Sequence, residues 1–583
     1  MKLLSYAKFI IIILIFSIKI TAAEVMEVKE VSFTSAEKYT NPYLNVDLWV
    51  SLVGPNGENY KIPAFWDGEN IFKARLVATA PGTWKWSTGN TTGDKGLDNK
   101  TGAFNADACS EAEKIANPNK RGFIHVNKSG STLEYADGTP FFYTGDTVWT
   151  ALTKVFSWNS AAGKAGISFQ DYFTARKKQG YNGVNIISCY PTDSVPGKGI
   201  WDKRVHGEKI SENNNTPFKL SNGEADYTKI NPVYWQEQDK KIKYLSDHGF
   251  VPFIETVRRH EKWPYMSTQQ KESFNNFIRY IWARYGCYNM IFSWVHWDTN
   301  PGNVYPDWVI ISKQAFKYLK SKNGTGKMPY GQPRTAMSYG SSLKNWAVDA
   351  PELLDMHNVS NLYRDHRMLP WLRAIYRATP KMPAINLEPY YPGCGAMIKE
   401  APLSDAEYAQ YHMYGSVLNG GFAGHAWGDV YFGGTACWSD GTVPAGDPQK
   451  NALTKWDSYT MGQLKKFILD PGHEYYKLQP ASDTCLGNSH GDKHSLAIAK
   501  DKSFALGFCC AHFPVTYIKN LKPDSKYIFE WWHVKEGKWQ NATSVKSDGN
   551  GVLHWPSVPD PSRNWAYRVR LSNYTPALEN KAK

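Results

Sequence analysis

YNMIFSWVHWDTN, residues 288–300, decides the fold. Met290, Ile291 and Phe292 make a short apolar run of the kind that forms a strand buried on both faces. Its far end carries Trp294, His296, Trp297 and a lone carboxylate, Asp298, before Asn300-Pro301 breaks the strand. Immediately upstream, Ser267 opens a helical pattern with Phe274, Phe277, Ile278, Ile281 and Trp282 on one face, and Gly286 ends it. The same helix–glycine–strand unit occurs twice before. Ser168, with Asp171 in capping position, leads Phe169, Tyr172 and Phe173 to Gly180 and a strand at 184–189. Asn231-Pro232 leads Trp235, Ile242 and Leu245 to Gly249 and a strand at 251–254. Three such units in succession predict parallel β/α architecture.

Five further strands extend the pattern. One precedes the first unit at 141–145, and the others are expected near 335–338, 353–356, 383–387 and 421–425, with helices over 307–321, 362–378 and 404–418. Eight strands in this span predict a central (β/α)8 TIM barrel over 121–480, whose chemistry belongs at the C-terminal strand ends. The polar and aromatic groups found there are Asp146 with Trp149, Tyr190, Glu255, His296 and Trp297 with Asp298, Tyr339, His357, Glu388 with Tyr390 and Tyr391, and His425 with Trp427. Glycoside hydrolysis needs two carboxyl groups, one to protonate the leaving oxygen and one to act as nucleophile or base. Asp298 and Glu388, at the ends of the fourth and seventh strands, are the expected catalytic pair, and the other groups are the expected substrate contacts. Glu255 also has Arg258 and Arg259 within four residues, which suggests a structural ion pair, and a lone histidine such as His296 or His425 is commonly a bonded core residue.

Composition limits the alternatives. The 23 tryptophans and 35 tyrosines, many in Gly-, Asn- and Asp-rich contexts, suit stacking on sugar rings. No HExxH, GxSxG or GxxxxGK[ST] occurs, and no Lys/Arg stripe of the nucleic-acid type is present. No metal site and no cofactor are expected, because the eight cysteines lack ligand spacing. Lys2 and Lys8, the apolar run 9–18 and Thr21-Ala22-Ala23 read as a signal peptide over 1–23, giving an exported, periplasmic or extracellular chain without a membrane span. Its removal with Lys2, Lys8 and Lys19 takes the formal charge from +13 to +10, which fits an acidic glycan. Short alternating runs over 24–108 predict a β-sandwich, residues 109–120 a linker, and runs over 483–575 a second β-sandwich. Trp531, Trp532, Trp539, Trp555 and Trp565 of that last region suit either a glycan platform or a packed core.

Several segments carry a family resemblance: RGFIHVNKSG (121–130), ADGTPFFYTGDTVWTAL (136–152), GVNIISCYP (183–191), MIFSWVHWD (290–298), INLEPYY (385–391), GFAGHAWGDVYFGG (421–434), WDSYTMGQLKKFI (456–468) and YYKLQP (475–480). Together they resemble the apiosidase-like catalytic domain, a glycoside hydrolase barrel of Bacteroidetes-type polysaccharide degraders. The flanking regions resemble the immunoglobulin-like domain that precedes such barrels and a C-terminal β-domain named for collagen binding. The resemblance implies an acid/base aspartate at Asp298 and a nucleophilic glutamate at Glu388. The family commonly has Gly-Gly before that aspartate; here His296-Trp297 stand in that place, and two bulky rings instead of glycines would reshape the subsite beside the scissile bond.

The expected function is therefore hydrolysis of glycosidic bonds in a plant or algal polysaccharide or its oligosaccharides. Two alternatives are a non-catalytic glycan-binding protein built on the barrel, and a lyase acting on uronates with His260 or Tyr390 as base.

Overall fold

The computed structural model describes residues 22–160, 166–192, 194–195, 209–259, 261–296, 305–360, 366–392, 403–429, 453–486, 493–512 and 517–576. At its centre, eight parallel strands curl around a shared interior. They are β1 (Tyr143–Thr147), β2 (Gly183–Ile187), β3 (Val251–Glu255), β4 (Ile291–Ser293), β5 (Arg334–Thr335), β6 (His357–Ser360), β7 (Ala384–Glu388) and β8 (Gly424–Trp427). The order across the sheet is β5-β4-β3-β2-β1-β8-β7-β6, and a two-residue antiparallel strand, Gly340–Ser341, adds a ninth member beside β6. Among the described residues, seven helices of ten or more residues connect or flank the strands: α1 (Phe169–Lys178), α2 (Pro232–Asp247), α3 (Thr268–Tyr285), α4 (Tyr305–Asn323), α5 (Met368–Arg377), α6 (Asp405–Leu418) and α7 (Trp456–Ile468).

The period-2 rule explains the layering. Tyr143, Val251, Phe253, Ile291, Ile385 and Leu387 point inward and form one buried cluster with Met337 and Met356. Ile254, Phe292 and Val359 point outward and pack in a larger cluster with the helices. Tyr143 fills much of the interior. A Cβ on Gly145 or on Gly183 would come within 2.2 Å of its ring, so both neighbours must be glycine. The small sheet formed by Ile124–Val126, Leu133–Tyr135 and Pro140–Phe141 contributes to the same cluster.

The strands expected to close as an eight-strand barrel form this curled, mostly parallel nine-stranded sheet, and among the described residues no ladder joins β5 to β6. Arg334 O instead accepts from Asp355 N and Met356 N at 2.8 and 3.2 Å. The Asn358 amide reaches Thr335 Oγ1 at 2.8 Å and Ala336 O at 2.7 Å, and its oxygen accepts from Ser338 N. The sixth strand also lies later than 353–356, since Pro351–Leu353 forms a 3-10 turn. The eighth is likewise shifted, to 424–427. Helix entries follow the caps: Ser168 Oγ accepts from Asp171 N, Pro232 opens α2, and Ser404 with Glu407 forms a capping box. Residues 109–120, expected as a linker, include a helical turn. Ser110 and Glu113 cap a short helix, Glu111–Ala116.

Before the curled sheet lie a five-stranded and a three-stranded sheet with their own core, which includes Leu48, Val50, Leu52, Phe72 and Trp84. Buried ion pairs fasten them to the helices. Arg279 of α3 pairs with Asp47 at 2.6 Å, and Arg284 of α3 pairs with Asp67 at 2.9 Å and with Asp239 of α2 at 2.7 Å. After the curled sheet comes a six-stranded sheet that includes His494–Ala499, Lys526–His533, Lys538–Lys546 and Trp565–Leu571. Here Trp531 and Trp565 lie in the core, Trp555 packs against it, and Trp532 donates to Tyr414 of α6. Packing and docking thus account for Trp531, Trp532, Trp555 and Trp565, while Trp539 is half-buried. Among the described residues the six cysteines are free thiols, while Cys394 and Cys437 lie outside them. No described helix is long and apolar enough to cross a membrane.

Lys241 of α2 holds the segment that follows β1. Its buried ammonium donates to the carbonyls of Ala151, Thr153 and Phe156 at 3.1, 2.9 and 2.7 Å, matching three donors to three acceptors. Burial draws its pKa from 10.5 down to about 7. Between those values the unfolded chain binds more protons than the folded protein, so this group makes stability rise with pH across that window. Lys241→Met is expected to flatten the rise, read as the difference in melting temperature between pH 7 and pH 9 by calorimetry.

Candidate active site

Glu388 ends β7, buried at 2% exposure. Regular alternation would put it on the same side as Asn386, whose amide donates to Ser416 of α6. The register prevents this. Val359 pairs with Asn386 but Ser360 pairs with Glu388, a bulge that skips one residue of β7 and swings Glu388 into the mouth of the sheet. There Ser360 Oγ donates to Oε2 at 3.0 Å and the Tyr391 hydroxyl donates to Oε1 at 3.2 Å. Burial first, then the Glu388 and Glu255 charges, hold the Tyr391 phenol well above its ordinary 10, with the Thr147 hydroxyl beside it. Tyr391 therefore reports two carboxylates near one point.

Glu255 ends β3 with the inward parity of Val251 and Phe253, and it is fully buried. Its Oε2 lies 2.6 Å from His296 Nδ1, which makes His296 its partner in the site beside the neighbouring arginines. The His296 ring meets Trp149 edge-on at 4.4 Å. Trp149 packs in turn with Ile187 and Tyr190, and Lys209 sits over the Tyr190 ring at 4.9 Å. One mouth thus gathers Glu388, Tyr391, Thr147, Glu255, His296, Trp149 and Tyr190: carboxylates, hydrogen-bond donors and flat rings.

Tyr391 has a steric requirement. A Cβ on Gly428 would lie 2.2 Å from its ring. Since a hydrogen bond to a charged group contributes about 1.5–3 kcal/mol, Tyr391→Phe is expected to lower kcat/KM about 10- to 100-fold. Gly428→Ala, which displaces the ring, is expected to lower it at least as much. Steady-state kinetics on the two purified variants checks both.

Four expected substrate contacts are corrected by strand parity. Asp146 faces the helices, where its Oδ2 accepts from Arg176 Nε at 2.7 Å and Tyr172 OH at 2.6 Å. Burial pushes its carboxyl up against the opposing pull of Arg176. Trp427, opposite Asp146 in the register, covers the Arg176 guanidinium at 4.9 Å and donates to Asp457. His425, level with Thr144 and Asn386, lies toward His412 of α6; burial and then His412 hold its pKa well below 6.5. His357 bonds Ser342 Oγ at 2.9 Å and is drawn down to about 4 by burial. Tyr390, a fifth correction, packs on Tyr408, and its backbone N–H donates to His412. Tyr339 is half-buried, with its carbonyl bonded to Asn345. Asp298, Trp297 and His260 lie outside the described residues.

Thr147 and Ser360 were missed from sequence. Inward parity in YTGDT marks Thr147, one residue past the more conspicuous Asp146, whereas nothing local in HNVS announces that a bulge on its partner strand delivers Glu388 to Ser360. Among the described residues no group of three or more His, Cys, Asp or Glu side chains could hold a metal ion.

Residues 127–470 match the model of the apiosidase-like catalytic domain, more than half of the chain. The chain belongs to the apiosidase-like family. It is a glycoside hydrolase. Residues 23–91 match a domain of unknown function, DUF5060, and no curated protein matches the chain. Among solved structures, a candidate glycoside hydrolase from Bacteroides vulgatus ATCC 8482 is 17% identical with a TM-score of 0.63, over 94% of this chain and 99% of that one. A family 5 glycoside hydrolase from the same organism is 18% identical with a TM-score of 0.58, over 79% of this chain and 95% of that one. These likenesses describe the fold of this apiosidase-like protein.

Proposed function

We propose that this apiosidase-like hydrolase cleaves a plant or algal polysaccharide, or its oligosaccharides, by a retaining mechanism on a (β/α)8 barrel. Asn358 takes the place of the missing β5–β6 ladder in this reading. One observation carries the mechanism: a bulge turns Glu388 into the mouth and two hydroxyl donors fix both of its oxygens. A carboxylate held this way is aimed, as a nucleophile requires. Asp298 gives its proton to the glycosidic oxygen as Glu388 attacks the anomeric carbon and the C–O bond breaks. Asp298 then takes a proton from water, which displaces Glu388 and releases the sugar. Glu255 with His296, Trp149 and Tyr190 line the sugar site. Residues 1–23 direct export, and the domains at 24–108, read as immunoglobulin-like, and 483–575 support the barrel over 121–480.

Of the two bases named for the lyase alternative, Tyr390 packs against α6 and His260 lies outside the described residues. Proton NMR during hydrolysis tests the reading. The first-formed product keeps the anomeric configuration of the substrate and no unsaturated product absorbs; an inverted first product, or an unsaturated one, overturns it.

A further inference from the structure

Away from Glu388, α1 stops at the turn into the first residues of β2, and α7 ends against the hairpin Lys526–His533/Lys538–Lys546 of the last sheet. A groove of about 1060 Å³ opens between them. Pockets that bury a single small ligand measure about 300–1,000 Å³, so this groove has room for several sugar units. Lys178, Lys465, Lys466 and Lys538 line it. Among the described residues none of the four is joined to a carboxylate by an ion pair. Asp470, which also lines the groove, is already engaged: it accepts from Arg568 Nη1 at 2.5 Å, Trp539 Nε1 at 2.8 Å and Gly472 N at 2.8 Å. The groove therefore carries positive charge that the fold does not neutralise. Lys465 is half-buried in the wall and drawn down to about 8 by burial. Tyr459 of α7 presents an exposed ring, 42% accessible, on the same surface.

We propose that this groove is a second glycan-binding site, distinct from the mouth, that holds an anionic oligosaccharide by its carboxylate or sulfate groups on the lysines and by a sugar face on Tyr459. An aromatic face among cationic donors recognises such a chain better than a neutral one. The site would hold polymer on the enzyme between cleavages, and it rests on reading the chain as a polysaccharide hydrolase.

Calorimetric titration of the full chain carrying Glu388→Gln tests it without turnover, using oligogalacturonate, a sulfated galactan oligosaccharide and methyl-esterified oligogalacturonate as probes. The first or the second binds, identifying uronate or sulfate, and the neutral ester binds at least about tenfold more weakly. Lys465→Gln/Lys466→Gln/Lys538→Gln, and separately Tyr459→Ala, weaken binding of the anionic probe about tenfold or more. In the otherwise wild-type chain the same changes leave hydrolysis of a short substrate unaltered. Equal affinity for the neutral ester, unchanged affinity in both variants, or no binding of either anionic probe overturns the proposal. Loss of hydrolysis alone bears on the catalytic reading and leaves the groove proposal standing.

Discussion

Glu388→Gln is expected to lower kcat by about 10⁴-fold or more, with little change in KM. The substitution preserves shape and keeps an acceptor for one of the two hydroxyls that hold the side chain, so the fold has no reason to change. What it removes is the negative charge that must meet the anomeric carbon. Asp298→Asn is expected to behave differently. It removes a proton donor, so cleavage of ordinary glycosides falls steeply while a glycosyl fluoride, whose leaving group needs no proton, is still consumed. Rates for both variants on both substrate types separate nucleophile from acid. Equal losses on the fluoride would contradict the division of roles.

Arg176→Met is expected to destabilise the protein by about 3–5 kcal/mol. The guanidinium is fully buried, bonded to Asp146 and to Gln179, and enclosed by the rings of Tyr172, Tyr181 and Trp427. Methionine fills similar space but leaves the Asp146 carboxylate buried without its counter-charge. Adding Asp146→Leu removes that charge as well and is expected to recover much of the loss. Urea denaturation followed by tryptophan fluorescence measures it. A double variant no more stable than the single one would show that the pair is not coupled.

These two predictions concern strand-end carboxylates that looked alike in the sequence. Both Asp146 and Glu388 close an apolar run, and position alone nominates both. The difference is the direction of the side chain. In YTGDT the alternation is unbroken, so Asp146 falls on the helix side and Thr147 on the mouth side. In AINLE a bulge breaks it, and Glu388 reverses. Bulges arise from pairing with a neighbouring strand, which no single segment encodes. The helix–glycine–strand units were legible because caps, apolar faces and terminal glycines are local signals. The β5–β6 gap was not, since it depends on a 3-10 turn at Pro351 and on one asparagine bonding across two edges. Likewise the adjacency of Arg258 and Arg259 to Glu255 in sequence gave no sign of His296, which a different strand brings to 2.6 Å.

Glu388 as nucleophile is the central claim, and covalent trapping tests it most directly. A 2-deoxy-2-fluoro glycosyl fluoride of the released sugar slows both steps, so the glycosyl-enzyme accumulates. Digestion and peptide mass spectrometry are predicted to find one sugar per chain, on the peptide carrying Glu388 within INLEPYY. A label on the Glu255 peptide, or turnover of the reagent with inversion and no label, would contradict it.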